Sequence, residues 1–155
     1  MKTLNHRVRA VRIHHKGSAE ALVCEETTVP RIGAGEVLVR VHAAAITPTE
    51  LSWLGKITSP IIRSHEMSGV VAAIGADVPD INVGDAVYGL PAFDRDGAAA
   101  DYVVVHPNEV APKPGSIDHV QAAVIPLSAL TAWQALHVHG SLLPGQRVLI
   151  HGGAG

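Results

Sequence analysis

The chain is poor in cysteine, in aromatic residues and in charge. A single cysteine, Cys24, among 155 residues excludes both an intramolecular disulfide and a cysteine-rich zinc site. With 3% aromatic residues, the core must consist mainly of Val, Ile, Leu and Ala. Charged residues make up 17% and the net charge is −2, so no basic stripe is available for nucleic acid or an anionic membrane.

The sequence also lacks long apolar runs. None approaches the roughly 18 residues that a membrane-spanning helix needs, and the first 15 residues contain no apolar signal core. We therefore expect a cytoplasmic protein that acts on a small molecule, without a nucleic-acid or membrane partner.

Short β-strands punctuated by Gly and Pro are predicted over the first two thirds of the chain. The clearest is the run Val-Leu-Val-Arg-Val-His-Ala at 37–43; Pro48 then stands at a first helical position after Thr47. Such spacing favours a β-barrel or sandwich. The other predicted strands are 8–14, 21–29, 68–74, 86–89 and 99–106.

The character changes after Gly115. The segment Ser-Ile-Asp-His at 116–119 can cap a first helix, with Ser116 as the preferred N-cap. Pro126 breaks this helix, and a second helix is expected over 127–139. An apolar strand at 147–151 then runs into a glycine-rich stretch, as at the start of a dinucleotide-binding βαβ unit. We interpret this ending as a cut within that unit; the alternative is a flexible tail.

Four ordered segments resemble the N-terminal catalytic half of the medium-chain dehydrogenase/reductase superfamily. They are Gly-Glu-Val-Leu-Val-Arg-Val at 35–41, His-Glu-Met-Ser-Gly-Val-Val at 65–71, Val-Gly-Asp-Ala-Val at 83–87 and Leu-Thr-Ala-Trp-Gln-Ala-Leu at 130–136. The resemblance implies a mainly β fold with a few helices: a GroES-like β-barrel followed by the first strand of a truncated Rossmann domain. It implies a catalytic domain at 1–125, and at 126–155 a linking helix, that strand and the start of the glycine-rich turn.

The superfamily divides on catalytic zinc, which needs three protein ligands and an open position. By resemblance, His65 and Glu66 match the histidine-containing ligand motif, although Ser64 stands where glycine is usual. Thr47 and Leu127 occupy the positions of the other two ligands, and neither is a good zinc ligand. The sequence therefore resembles the zinc-independent quinone oxidoreductase and enone reductase branch, with no metal site.

The resemblance implies five catalytic candidates. Thr47 would donate a hydrogen bond to the substrate oxygen or the nicotinamide ribose, or else only cap a helix. Ser52 and Trp53 follow on the same segment, where Trp53 would form a pocket wall or simply pack. His65 and Glu66 would hold the cleft structurally, with proton relay as the alternative.

The implied cofactor is NADP, with NAD as the alternative. Thr131 matches a threonine near the nicotinamide; a mid-helix hydroxyl otherwise bonds back to a carbonyl. Gly152, Gly153, Ala154 and Gly155 resemble the start of the pyrophosphate turn, where glycine lets the backbone approach phosphate.

The leading hypothesis is the catalytic half of an NAD(P)H-dependent oxidoreductase that reduces a quinone or an α,β-unsaturated carbonyl without zinc. The full-length enzyme would be a homodimer, and the fragment alone would be inactive. A zinc-dependent alcohol dehydrogenase is a second hypothesis. A non-catalytic GroES-like module for binding or oligomerisation is a third.

Overall fold

The computed structural model describes residues 7–15, 19–51 and 60–153. Its strands are β1 Arg7–Ile13, β2 Leu22–Thr28, β3 Val37–Ala45, β4 Ile61–Ile62, β5 Glu66–Ile74, β6 Ala86–Gly89, β7 Tyr102–Val105 and β8 Val110–Pro112. Two α-helices follow, α1 His119–Ala123 and α2 Pro126–Trp133, and α2 continues as a π-helix over Gln134–His139. Short 3₁₀ turns occupy Ala19–Ala21, Pro48–Leu51 and Pro107–Glu109.

Two antiparallel sheets form the body of the domain. The larger has the order β7-β3-β5-β6-β8, and the smaller has the order β2-β1-β4. Backbone hydrogen bonds join them, from Val11 N to Ala99 O at 2.7 Å and from Asp101 N to Arg9 O at 2.9 Å. The described chain is thus mainly β with a few helices, as the sequence predicts.

The core lies where β3, β5 and β7 meet. Val37, Val39, Met67, Val71 and Val105 expose at most 1% of their surface. This aliphatic core follows from the scarcity of aromatic residues, because β-branched side chains pack well on a pleated surface. Since β3 pairs with both β5 and β7, it fixes the position of β5, whose first residues enter the candidate site.

The first helix is shorter than expected, and its cap is a different residue. Asp118, not Ser116, is the N-cap of α1. Asp118 Oδ1 accepts from Gln121 N at 2.8 Å, and Gln121 Oε1 accepts from Asp118 N at 3.1 Å. This reciprocal pair satisfies two backbone donors at once. Ser116 lies two residues before the N-cap position, outside the capping box.

The second helix begins at Pro126 rather than after it. Proline is well suited to a first helical position, because the N–H that it lacks would have no helical partner there. Residues 127–139 are helical as expected, although the last part is π-helical.

The strand expected at 147–151 is not formed in the part of the chain that the structure describes. Val148, Leu149 and Ile150 are 53%, 80% and 59% exposed. A strand needs a neighbour to accept its backbone hydrogen bonds, and no described strand lies beside this segment. Among the described residues, no helix has the length and apolar character that crossing a bilayer requires.

Gly69 offers a test of the close contact between β3 and β5. A Cβ at this position would overlap the carbonyl oxygen of Arg40 and lie 2.8 Å from Val39 Cγ1. We expect Gly69→Ala to lower the free energy of unfolding by more than about 3 kcal/mol, measured by urea denaturation. Gly115→Ala is the control, because nothing lies within 4 Å of its Cβ position; equal stability of the two variants would contradict the packing described here.

Candidate functional site

The carboxylate of Glu50 joins two separate segments of the chain. Glu50 is 1% exposed and ends the sequence Thr-Pro-Thr-Glu at the 3₁₀ turn Pro48–Leu51. Its Oε1 accepts hydrogen bonds from Thr47 N at 3.2 Å and Thr47 Oγ1 at 3.4 Å. Its Oε2 accepts from Ser64 N at 2.9 Å. Glu50 therefore holds the Thr47 turn against the segment that enters β5.

Ser64 has the backbone conformation that glycine adopts most easily. Its φ is 73° and its side chain is fully buried. Three hydrogen bonds hold it there: from its N to Glu50, from its Oγ to Glu66 O at 3.0 Å, and from Ala98 N to its own carbonyl at 2.6 Å. These bonds offset the strain of a left-handed conformation in a residue with a Cβ.

His65 is buried and faces the loop that follows β6. Its Nδ1 lies 3.2 Å from Pro91 O, and because a carbonyl only accepts, Nδ1 carries the hydrogen. Its ring packs on Phe93 with centroids 4.5 Å apart. Burial lowers the pKa of His65, although the Pro91 carbonyl and Glu50 oppose the change. His65 is therefore a neutral imidazole at neutral pH.

Glu66 binds the start of α2. The side chain is 3% exposed, and its Oε1 accepts from Leu127 N at 2.8 Å. Burial raises the pKa of Glu66; the Leu127 N–H opposes this, and the charge of Glu50 adds to it. The carboxylate satisfies a backbone donor at the N-terminus of α2, where a helix has no internal acceptor. This contact fastens α2 to the sheet.

The three positions that resemblance aligns with zinc ligands are held in one hydrogen-bonded network. Thr47 bonds Glu50, Glu50 bonds the residue before His65, and Leu127 bonds the residue after it. The Glu50 carboxylate accepts from two backbone N–H groups, and the Glu66 carboxylate accepts from one. Within the described ranges, no three His, Cys, Asp or Glu side chains lie close enough together to hold a metal ion.

Apart from Thr47, the predicted cofactor residues that the structure describes lie outside this network. Thr131 is exposed on α2, one helical turn beyond Leu127 and on the same face. Gly152 and Gly153 lie in an exposed turn, with Gly152 at φ 65°. Dinucleotide binding needs a helix N-terminus after such a turn, and the described residues contain none there. Gly152 and Gly153 alone therefore do not complete a pyrophosphate-binding site.

Four predicted site residues fall outside the described part of the chain. They are Ser52, Trp53, Ala154 and Gly155.

Sequence reasoning missed the central residue of the network. Glu50 stands three residues after Thr47, and Thr-x-x-Glu is the sequence signature of a helix-capping box. That signature was the available signal. Arg63, 3% exposed, was missed as well; burial lowers the pKa of its guanidinium, and the charge of Glu50 opposes this change.

An apolar groove of about 360 Å³ adjoins the contact between Glu66 and α2. Gly89 and Leu90 line it from the end of β6, and Pro126, Leu130 and Trp133 line it from α2. A larger cavity, of about 640 Å³, lies around the loops before β6 and β8, and none of the network residues lines it.

Comparison with known families shows to which family the chain belongs. The alcohol dehydrogenase GroES-like domain family matches residues 33–115, more than half of the chain. The chain belongs to this family. Membership of this family places the chain in the medium-chain dehydrogenase/reductase superfamily. It confirms the resemblance that the four ordered sequence segments indicate.

Three relatives have informative names. The chain is 35% identical to the bovine "NAD(P)H oxidoreductase RTN4IP1, mitochondrial", in an alignment that covers 90% of this chain and 41% of that protein. It is 33% identical to the tomato "2-methylene-furan-3-one reductase", covering 90% and 39%. It is 36% identical to a "Probable zinc-binding oxidoreductase, mitochondrial" of Arthroderma benhamiae, covering 77% and 37%. The chain thus spans about two fifths of the length of these relatives.

A solved structure shares the fold. The quinone oxidoreductase from Coxiella burnetii matches with a TM-score of 0.85 and 30% identity, over 96% of this chain and 50% of that one.

Ser64 can be tested with two substitutions that separate strain from hydrogen bonding. Both Ser64→Ala and Ser64→Gly remove the bond to Glu66 O, but only glycine relieves the left-handed strain. We expect Ser64→Gly to be more stable than Ser64→Ala by about 1 kcal/mol, after allowance for the greater freedom of unfolded glycine. Urea denaturation measures the difference; an alanine variant as stable as the glycine variant would refute strain at this position.

Proposed function

We propose that this GroES-like domain forms the substrate side of an NAD(P)H-dependent oxidoreductase that reduces a quinone or an α,β-unsaturated carbonyl without catalytic zinc. One observation carries the proposal. At the two positions where zinc enzymes of the family are expected to provide ligands, Thr47 places its hydroxyl on Glu50, and Leu127 offers only its backbone N–H, to Glu66. The names of the bovine and tomato relatives support the reaction class.

The reaction class follows from what the site offers to a substrate. A bound reduced nicotinamide would supply the hydride. The described residues do not complete a binding site for that cofactor, so we expect a longer protein to bind it. Without a Lewis acid, an alcohol is hard to convert to an alkoxide at neutral pH. An electron-poor acceptor needs only a hydrogen-bond donor for the oxyanion that forms on it.

Thr47 is the proposed donor. Its hydroxyl is half-buried, and its contacts are long: 3.2 Å to Thr49 Oγ1 and 3.4 Å to Glu50 Oε1. Hydrogen bonds of this length are weak. A developing oxyanion therefore competes well for the Thr47 hydrogen, while the Thr47 backbone N–H stays bound to Glu50 and keeps the turn in place.

A zinc-dependent enzyme is the second candidate function. The observation in its favour is the relative whose name includes zinc binding, at 36% identity, together with His65 at the aligned ligand position. The neutral state of His65 would suit a metal ligand. The carboxylate hydrogen bonds described above weigh against this function.

Several finer points remain predictions. NADP is the expected cofactor with NAD as the alternative, and the full-length enzyme is expected to be a homodimer. We expect residues 1–155 alone to be inactive. A cytoplasmic location is expected from the sequence, whereas the names of two relatives place those proteins in mitochondria.

Metal content separates the two candidate functions. Because Thr47 and Leu127 provide no good ligand, we expect far less than one zinc per chain after dialysis of the full-length protein against a weak chelator. Elemental analysis gives the ratio. The variant His65→Ala is the control, and it should leave the zinc content unchanged. One zinc per chain that is lost in His65→Ala would establish the zinc enzyme instead.

Substrate preference tests the reaction class. The full-length gene product should reduce simple quinones or enones with NADPH or NADH, and should oxidise ethanol poorly. This follows because reduction needs an oxyanion donor only, whereas alcohol oxidation also needs a metal or a strong base. Steady-state kinetics on both substrate classes measures the preference; efficient zinc-dependent alcohol oxidation would overturn the proposal.

Thr47→Val tests the donor. Valine keeps the branched shape, so we expect kcat for the acceptor to fall by about 10- to 1,000-fold, nearer the lower figure if water replaces the hydroxyl. Thr28→Val on β2 in the other sheet is the matched control and should leave kcat unchanged. An unchanged kcat in Thr47→Val would show that Thr47 does not take part in the mechanism. The reductase assignment would then depend on the comparison of quinone or enone reduction with alcohol oxidation.

A further inference from the structure

A second cluster of polar side chains lies where α1 packs on the larger sheet. The rings of His119 on α1 and His42 on β3 are 4.4 Å apart and tilted by 30°. His119 Nδ1 lies 2.7 Å from Oγ of the fully buried Ser68 on β5, and that hydroxyl donates to Val87 O at 2.9 Å. Because the one hydroxyl hydrogen goes to Val87, His119 donates its Nδ1 hydrogen to Ser68.

Cationic groups surround the two imidazoles. From β3, Arg40 Nη2 lies 3.3 Å from His42 Nε2, and because a guanidinium only donates, His42 Nε2 is the acceptor. The charge of Lys113, which follows β8, acts on His119. The one opposing charge that acts on His119 among the described residues is Asp118 on its own turn, and its carboxylate is already the N-cap acceptor.

The remaining elements packed against α1 offer no compensating charge at this contact. β5 presents the Ser68 hydroxyl and β6 presents the Val87 carbonyl. The carboxylate of Glu66, two residues from Ser68 along β5, is bound to the Leu127 N–H. Protonation of His119 would therefore place a cation against the His42 ring, near Arg40 and Lys113.

α1 depends on this contact because it is only five residues long. A helix of that length is not stable without packing. Its buried side chains are two alanines, Ala122 and Ala123, which bury little apolar area. The interaction of His119 with the sheet is thus a large share of what holds α1 in place.

We propose that His42, His119 and Ser68 form an acid-sensitive latch, which holds α1 on the sheet at neutral pH and releases it on acidification. Two residues separate α1 from α2. Release of α1 therefore loosens the start of α2, where Leu127 N–H meets Glu66, and so changes the candidate site. The latch is independent of the proposed reaction.

The direction of the pH effect follows from proton binding. Burial lowers the pKa of His119 in the folded chain, and the charges of His42 and Lys113 lower it further, against the opposing effect of Asp118. The unfolded or released segment then binds a proton more readily than the latched one. Stability of the latch is complete above the ordinary histidine pKa of about 6.5 and falls as the pH drops below it.

Amide hydrogen exchange on the full chain tests the latch. Between about pH 7.5 and 5.5, we expect the protection factors of the Ala122 and Leu127 amides to fall several-fold, to a limit of about ten-fold, after correction for intrinsic exchange. Amides of the β-sheet core, such as Val39 and Val71, should lose much less. The loss should shrink to less than about two-fold in His119→Gln, and it should also shrink in His42→Gln, because the charge of His42 contributes to lowering the pKa of His119.

Two controls assign the effect. His106→Gln removes an exposed histidine elsewhere, which contacts Gly35 O, and should behave like the unaltered chain. Glu66→Gln removes the carboxyl that binds Leu127 but keeps an acceptor, and its α1 amide should still respond to acid. The latch is overturned if protection falls equally throughout the core, if acid leaves α1 protected, or if the loss persists in both His119→Gln and His42→Gln.

Discussion

The burial of the Glu50 carboxylate is the constraint on which the site depends. A buried charge is costly unless donors surround it, and Glu50 finds them in the Thr47 turn and at Ser64 N. To supply the second donor, Ser64 adopts a left-handed backbone. That conformation sets the direction of His65 and Glu66, which follow it at the start of β5.

Much of the fold could be predicted because its signals are local. The Val-rich strand β3 and the Thr47-Pro48 helix start both follow from residue preferences that act within a few residues. Where two neighbouring residues were both suitable as a helix N-cap, residue preference alone did not identify the correct one. Ser116 and Asp118 are both good N-caps, and the reciprocal bond with Gln121 decided between them.

The site was less predictable because its central contacts join distant parts of the chain. Ser64 N and Leu127 N meet carboxylates 14 and 61 residues away. No pattern in a sequence window contains such pairs. The resemblance supplied Thr47, His65 and Glu66, but it directed attention to metal ligands. Glu50 has no place in that comparison, although its capping-box spacing from Thr47 was a local signal. The contact between the rings of His42 and His119 joins residues 77 positions apart, and only the three-dimensional structure shows it.

The bond from Leu127 to Glu66 is made by the main chain, so the identity of side chain 127 is not used in it. Every residue except proline would present the same N–H at that point of α2. Leucine can therefore be exchanged for another side chain there while the helix stays fastened to the sheet. In evolutionary terms, the main-chain anchor makes the architecture of the domain independent of the side chain at position 127, so that a potential metal ligand can be gained or lost there without refolding the site.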